Sequence, residues 1–416
     1  MIYNIMLKQT DVFRIIRDIV YSGLTRSRGS ISDLPVLSEW TPDISLKKGG
    51  LEADSLELLT IAGNVNQMFH LFETGVEDYL LRHTCLGEWV DIILKSLAIK
   101  HESITFSTSG TTGKEKNVCH QWDELVQEIR FFATVFQPSK RILSMVPCHH
   151  IYGFLFTILL PKIMEVPIVD IRNVSIGKLK QELNAYDLIV SVPVLWEYLD
   201  QSIPSNASKP FDQISGITST APCRIEVIES LKKKGMQTIT EIFGSSETSG
   251  IGYRQLPHSP FRLLPFLNRT TDHQTKDVII EKQLPSGDKK NIPIVDQLEW
   301  KDSRRFIPVK RKDGCVQIAG INVFPEYIAQ KISEHPDIKE CAVRLMNPAE
   351  GDRLKAFIVL KENSPHYDPK KEIKQWIRDN FIAAERPASV IFGNTLPRNE
   401  MGKLKDFSMN KDSLIQ

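Results

Sequence analysis

Four hydroxyl side chains, two glycines and two lysines fall within nine residues: Thr108-Ser109-Gly110-Thr111-Thr112-Gly113-Lys114-Glu115-Lys116. Glycine lets a backbone fold closely around a bulky anion. Amide N–H groups and hydroxyls can then hydrogen-bond phosphate oxygens while lysine balances the charge. The spacing is not that of the usual P-loop. Gly110 and Gly113 are too close, and Glu115 stands where Ser or Thr should follow the lysine. The competing reading is a flexible polar linker, but linkers seldom sit tightly between a strand and a helix. Here an apolar, β-prone run enters at 104–106 and an amphipathic helix follows from about Gln121.

The loop resembles the phosphate loop of the acyl-adenylate-forming superfamily: acyl- and aryl-CoA ligases, luciferases and peptide-synthetase adenylation domains. Its pattern is T-S-G-[ST]-T-G-x-P-K, matched by Thr108, Ser109, Gly110, Thr111, Thr112, Gly113 and Lys116, with Glu115 replacing proline. Further segments fall in the superfamily's order. Pro147-Cys148-His149-His150-Ile151-Tyr152-Gly153 resembles P-x-x-H-x-x-G, which implies that His150 and Gly153 line the acid pocket. Ser219-Thr220-Ala221-Pro222 resembles S-G-G-A-P, which implies that Ser219 borders the acyl and adenine sites. Residues 242–248 resemble Y-G-x-T-E. The resemblance implies that Phe243 stacks on adenine, Gly244 admits the acid carboxylate, Ser246 bonds phosphate and Glu247 holds Mg2+. Asp296 stands in the place of T-G-D and would accept from the ribose hydroxyls. Lys310-Arg311-Lys312-Asp313 resembles the hinge G-R-x-[DK], making Arg311 a ribose contact and Asp313 the pivot. Leu396-Pro397-Arg398-Asn399-Glu400-Met401-Gly402-Lys403 resembles L-P-[RK]-[TN]-x-x-G-K. A lysine at such a turn reads by itself as a solvated surface group; the ordered motifs upstream imply instead that Lys403 is the adenylation catalyst.

The front of the chain carries a different resemblance. Leu51-Glu52-Ala53-Asp54-Ser55-Leu56 is similar to the L-G-x-D-S-L attachment site of acyl carrier proteins, with Glu52 replacing glycine. That implies 4'-phosphopantetheine on Ser55, added by a phosphopantetheinyl transferase. The plainer reading is that Asp54 and Glu57 start a helix as a capping box.

The resemblance implies an AMP-forming acid–thiol ligase. ATP and Mg2+ activate a carboxylic acid as acyl-AMP, and a thiol of CoA or of a carrier protein's arm takes the acyl group. Residues 149–156 contain no acidic side chain to meet an α-ammonium, so an aryl or short acyl acid is expected rather than an amino acid. A catalytically silent carrier-binding scaffold and an adenylating enzyme with a non-thiol acceptor remain open.

These groups need rigid elements to position them. Apolar positions at helical spacing predict helices over 10–21, from Asp54, over 75–83 and over 86–97, a small bundle. Beyond residue 100, strand-like runs at 141–146, 166–171, 187–191, 216–220 and 238–243 alternate with helical segments, which predicts a mainly parallel sheet covered on both faces. Short β runs follow from about 260. Helix at 326–334, strands at 341–346 and 354–361, helix at 372–381 and a strand at 389–393 predict a small α+β domain. The expected organisation is an α/β protein: an N-terminal carrier-like helical bundle over 1–99, an adenylation core with a β subdomain over 100–312, and a mobile C-terminal domain over 313–416.

Bulk properties narrow the partners. Lys plus Arg is 52 and Asp plus Glu 51, so no net field favours nucleic acid or an anionic membrane. The six cysteines are scattered without C-x-x-C spacing, which fits a reducing, cytoplasmic setting. Asp11, Arg14 and Arg17 interrupt the apolar run a secretory leader would need, and 151–160 is too short to span a bilayer.

Overall fold

Val12, Ile15, Ile16, Ile19 and Val20, spaced three and four apart, bury one face of helix α1 (Gln9–Arg28). The computed structural model describes residues 5–28, 34–109, 115–203, 211–271, 278–292, 294, 296–311, 314–347, 350–361, 368–397 and 407, with the backbone alone at 108, 109, 115, 310 and 311. Helix α2 (Ser55–Phe69) starts at a complete capping box: Asp54 accepts from the Glu57 amide at 2.8 Å and Glu57 from the Asp54 amide at 3.0 Å. Where a further helix was expected at 75–83 the chain makes a 3-10 helix, Glu77–Arg82, before α3 (Leu86–Ile99).

The chain divides into two compact units. The first comprises Met1–Thr108, Asn117–Ile294 and Leu298–Pro308; the second comprises Ser109–Lys116, Val295–Gln297 and Val309–Gln416. Residues on both sides of the expected boundary near residue 100 fall in the first unit. The apolar faces of α1 to α3 bury into one continuous core with the sheet domain, in which Leu24 and Trp89 join Phe132, Phe154 and Phe156.

After α3, β1 (Ser103–Ser109) and β2 (Glu115–Gln121) pair as a two-stranded sheet, and α4 (Trp122–Val135) follows directly. Next come β3 (Arg141–Ser144), helices α5 (Ile151–Phe154) and α6 (Leu160–Met164), and β4 (Ile168–Asp170). Strands β5 (Asp187–Ser191), β6 (Ser215–Thr218), β7 (Thr238–Ser245), β8 (Ser249–Arg254) and β9 (Phe261–Leu263) continue the chain. A three-stranded antiparallel sheet, β10 (Leu267–Thr271), β11 (Val278–Gln283) and β12 (Lys289–Ile292), precedes β13 (Asp296–Trp300) and β14 (Arg305–Arg311).

The main sheet has nine strands in the order β13-β14-β9-β8-β7-β6-β5-β3-β4. From β4 to β7 every pairing is parallel; β7 to β8, β8 to β9 and β9 to β14 are antiparallel. The sheet is thus mixed, a parallel half extended by an antiparallel one. Every residue of β5 is buried, as a strand covered on both faces requires.

Helices α5 and α6 are joined without a break by a π-helical turn, Leu155–Leu159. Pro161 supplies a cause. It has no N–H, so the Thr157 carbonyl four residues earlier loses its helical donor.

The second unit holds the hairpin β15 (Val316–Ile318) and β16 (Ile321–Val323), and a sheet of β17 (Ile338–Leu345), β18 (Leu354–Leu360) and β19 (Ser389–Gly393). Helices Pro325–Ser333 and Pro369–Asn380 bury Ile328, Ile332, Ile373 and Ile377 in a core of its own. Among the described residues no helix is long and apolar enough to cross a membrane.

Candidate active site

The parallel strands end on one edge of the sheet, where open α/β folds bind ligands. At that edge β7 delivers Phe243 and Gly244 into the turn before β8. Gly244 admits no side chain: an added Cβ would lie 2.1 Å from the Ser249 carbonyl oxygen. The turn is closed by its own hydroxyls. The Ser245 amide donates to Thr248 Oγ1 at 3.1 Å, and the Thr248 amide to Ser245 Oγ at 3.3 Å. Phe243, Ser246 and Glu247 are left half-buried. The Phe243 ring packs at 5.6 Å from Phe261 and 5.4 Å from Phe306, which fixes its plane.

Two residues outside the motifs hold this turn. His120, buried on β2, donates through Nε2 to the Ser246 carbonyl at 2.7 Å, tying the β1–β2 hairpin to the turn. Burial lowers the His120 pKa against the opposing pull of this bond. Glu128 of α4, 1% exposed, accepts from Ser249 Oγ at 2.7 Å and from the Gly250 amide at 3.1 Å. Burial raises its pKa against the opposing pull of Ser249 and Lys282. Ser249 itself has φ +58°, a left-handed conformation that these bonds stabilise.

Beside the turn, Ser219 donates its hydroxyl to the Ile242 carbonyl at 2.8 Å, joining the ends of β6 and β7. Thr220 stands where the superfamily turn has glycine. It adopts φ +78°, and its buried Oγ1 has no hydrogen-bond partner. A β-branched residue in that conformation with an unpaired buried hydroxyl is an uncommon arrangement of the kind that clusters at functional sites. These features fit an adenine nucleotide: a ring face at Phe243, an unpaired hydroxyl at Thr220 and a glycine cradle at Gly244. They fit Mg2+ in the manner of nucleotide enzymes, where one carboxylate and substrate phosphates suffice; among the described residues no cluster of three His, Cys, Asp or Glu side chains forms a metal cage.

The proposed acid pocket begins at Pro147. Gly153 is required there, because an added Cβ would sit 1.9 Å from the Pro147 carbonyl oxygen. His150 is the exposed residue capping α5, and its ring lies 4.0 Å from that of His149. His149 Nδ1 is buried with no hydrogen-bond partner, and burial keeps its pKa well below the ordinary imidazole value. Tyr152 donates its hydroxyl to the Ser191 carbonyl at 2.9 Å, fixing α5 to the end of β5.

The remaining expected residues are placed as follows. Thr108 and Ser109 end β1; Gly110, Thr111, Thr112 and Gly113 lie outside the described residues; Lys116 is exposed on β2. Asp296 is half-buried at the start of β13, and Arg311 ends β14. Asp313 and Lys403 lie outside the described residues. By unit, Thr108, Phe243, Gly244, Ser246 and Glu247 belong to the first, and Ser109, Lys116, Asp296 and Arg311 to the second. Ser55 is exposed at the first turn of α2. Sequence reasoning missed His120, Glu128 and Thr220. The one available signal was Glu128 itself, a carboxylate on the apolar face of an amphipathic helix.

Residues 103–282 match the AMP-binding enzyme family, and residues 327–403 match the AMP-binding enzyme C-terminal domain. The chain is 34% identical over 403 residues to a 4-coumarate–CoA ligase of Halorhodospira halophila, across 96% of this chain and 99% of that one. It is 32% identical over 405 residues to a 4-coumarate–CoA ligase of Rhodobacter capsulatus, across 95% and 100%. Among solved structures, an o-succinylbenzoate CoA synthetase of Bacillus subtilis gives a TM-score of 0.58 at 17% identity, over 72% of this chain and 67% of that one. A malonyl-CoA ligase in complex with methylmalonyl-CoA and AMP gives 0.57 at 17%, over 71% of each. At such identities the structural likeness is one of fold.

Proposed function

Because the chain belongs to the AMP-binding enzyme family and is an acid–thiol ligase, we propose that it activates an aryl acid of the 4-hydroxycinnamate kind with ATP and transfers the acyl group to CoA. In the first step a carboxylate oxygen attacks the α-phosphorus of ATP, the α–β anhydride bond breaks, and pyrophosphate leaves with its electrons. In the second the thiol sulfur attacks the acyl carbon, AMP leaves, and the thiol proton passes to solvent. Both are steps in which positioning and charge neutralisation do most of the work. Phe243 orients adenine, Gly244 lets the acid carboxylate approach, and Ser246 bonds phosphate. Thr108 to Gly113 and Lys116 hold the outer phosphates. Asp296 and Arg311 hold the ribose, Lys403 bridges carboxylate and α-phosphate, and Asp313 is the pivot on which the C-terminal domain turns between steps. Bound Mg2+ would neutralise phosphate charge, with Glu247 its protein ligand. His150, Gly153 and Ser219 border the acid.

The observation that carries this reading is the closed 243–248 turn, with its glycine cradle and half-buried carboxylate. CoA is favoured over a carrier arm on Ser55. The segment bearing Ser55 is built into the enzyme core, and the relatives matched over that segment are CoA ligases. The six cysteines, scattered without C-x-x-C spacing, fit a cytoplasmic enzyme.

The test is pyrophosphate release and acyl-CoA formation, followed by mass, with a panel of aryl and short acyl acids. Acid-dependent release with acyl-CoA and AMP as products is expected, and Lys403→Ala should lower adenylate formation by about 100-fold or more. Absence of release with every acid would overturn the proposal in favour of a silent scaffold. Release without acyl-CoA would point to a non-thiol acceptor. A Ser55-dependent mass gain with a phosphopantetheinyl transferase would restore the carrier arm.

A further inference from the structure

Helix α1 carries polar residues at three positions of one face, Asp11, Arg14 and Asp18, spaced as i, i+3 and i+7. Each reaches a different point of the segment that forms the acid pocket. Asp11 pairs with Lys162 at 2.6 Å. Arg14 donates to the Thr157 carbonyl at 2.7 Å. Asp18, 2% exposed, accepts from the Cys148 amide at 2.8 Å. The three contacts run antiparallel along residues 148–162, from one end of the pocket helix to the turn before it.

The middle contact has a local reason. Pro161 cannot donate to Thr157, so the Thr157 carbonyl loses its i+4 helical donor, and Arg14 donates to it from α1. The end contact is braced from behind. Arg172 donates to Asp18 at 2.7 Å and grips Asp170 at the end of β4, while Arg17 donates to the same Asp170 at 2.6 Å. The Cys148 amide, one residue before His149 and two before His150, is thereby fixed to the edge of the main sheet through α1.

We infer that α1 is a splint for the acid pocket, with Arg14 and Asp18 as positioning residues for the 148–153 turn and the helix after it. The inference rests on the acid-activating reading of the site and extends it to the N-terminal segment. A rigid splint is needed because small displacements of a positioning element cost large factors in rate.

The test uses the full-length protein and four variants: Arg14→Met, Arg14→Lys, Asp18→Asn and Asp18→Ala. Acid and ATP KM are measured by pyrophosphate release below the melting temperature. Amide hydrogen exchange is measured over 147–164 and, as a reference, over the second unit. Arg14→Met and Asp18→Ala are expected to raise the acid KM about 10- to 100-fold while leaving the ATP KM unchanged. Exchange should accelerate over 147–164 only. Arg14→Lys should recover part of the loss, since it keeps a donor, and Asp18→Asn, which keeps one acceptor oxygen, should fall between wild type and Asp18→Ala. Acid and ATP constants that drift together, or exchange that rises throughout the first unit, would make α1 ordinary core and overturn the inference. If Asp18→Ala fails to fold, the Arg14 pair decides. If wild type activates no acid, the functional reading fails, and exchange alone decides the splint: unchanged protection over 147–164 in Arg14→Met overturns it.

Discussion

Lys355 of β18 shows how much a single buried charge can organise. It is 0% exposed, and its ammonium donates to Glu350 at 2.6 Å and to the Phe407 carbonyl at 2.7 Å. Phe407 lies four residues past Lys403 in sequence and packs with Leu396, Ala342 and Val359. Lys355→Ala removes from a buried site both its bond to Glu350 and its bond to the Phe407 carbonyl. It should destabilise the protein by about 3 kcal/mol, read from denaturant unfolding. Its activity signature is specific: acyl-AMP formation should fall more than CoA transfer from preformed acyl-AMP, because in the proposed mechanism Lys403 serves only the first step. Equal loss in both half-reactions would count against a role in holding the Lys403 segment. At Gly244 the constraint is steric. Gly244→Ala drives a Cβ into the Ser249 carbonyl and should cost about 1–3 kcal/mol, with nucleotide affinity falling in an equilibrium binding measurement.

Among the elements, helix starts were the most legible. The capping box at Asp54 and Glu57 was readable from four letters and is present in full, with Glu57 also held by Arg28 at 2.8 Å. Asp54→Ala should cost about 1 kcal/mol, measured as a lower denaturation midpoint at unchanged slope. The same box explains the carrier-like resemblance without any modification, since a D-S-L sequence is a good way to begin a helix. Strands β2 and β8 were not anticipated. Strand β2 lies hidden in a polar stretch, 115–121, whose side chains alternate without an apolar face. Strand β8 contains two glycines and has low strand propensity; it exists because β7 and β9 flank it and Glu128 holds its first residues. The 151–164 helix was also missed. Its apolar run is buried on nearly every side, so no period distinguishes it from a strand.

Across the whole molecule, buried ion pairs between distant segments should set the acid limit of stability. Burial alone would raise the Asp170 pKa, but the hydrogen bonds and charge of Arg172, with the charge of Arg17, outweigh it and hold it at about 2, below the ordinary 3.8. A depressed folded pKa gives stability that is complete above the ordinary value and lost as pH falls toward the folded one. Glu57, held chiefly by its hydrogen bond from Arg28, behaves alike, lowered from 4.5 to about 2. Stability measured by denaturant unfolding should therefore decline between about pH 4.5 and pH 2, and Asp170→Asn should flatten the Asp170 share of that decline. A variant profile parallel to wild type would refute the assignment.

The sequence by itself determined the family, through motifs whose order along the chain needs no knowledge of contacts. It also determined most elements, because helical period and strand alternation are local properties. The tertiary structure alone decided that the first hundred residues belong to the enzyme core. Apolar periodicity located the buried face of α1 but left Asp11, Arg14 and Asp18 looking like solvated charges. Arg14 and Asp18 have partners 130 to 154 residues away in the chain. Burial of a charge is favourable only where such partners converge, and no local pattern encodes that convergence. The same holds for His120 and Glu128, which hold the 243–250 turn from 121 to 126 residues away.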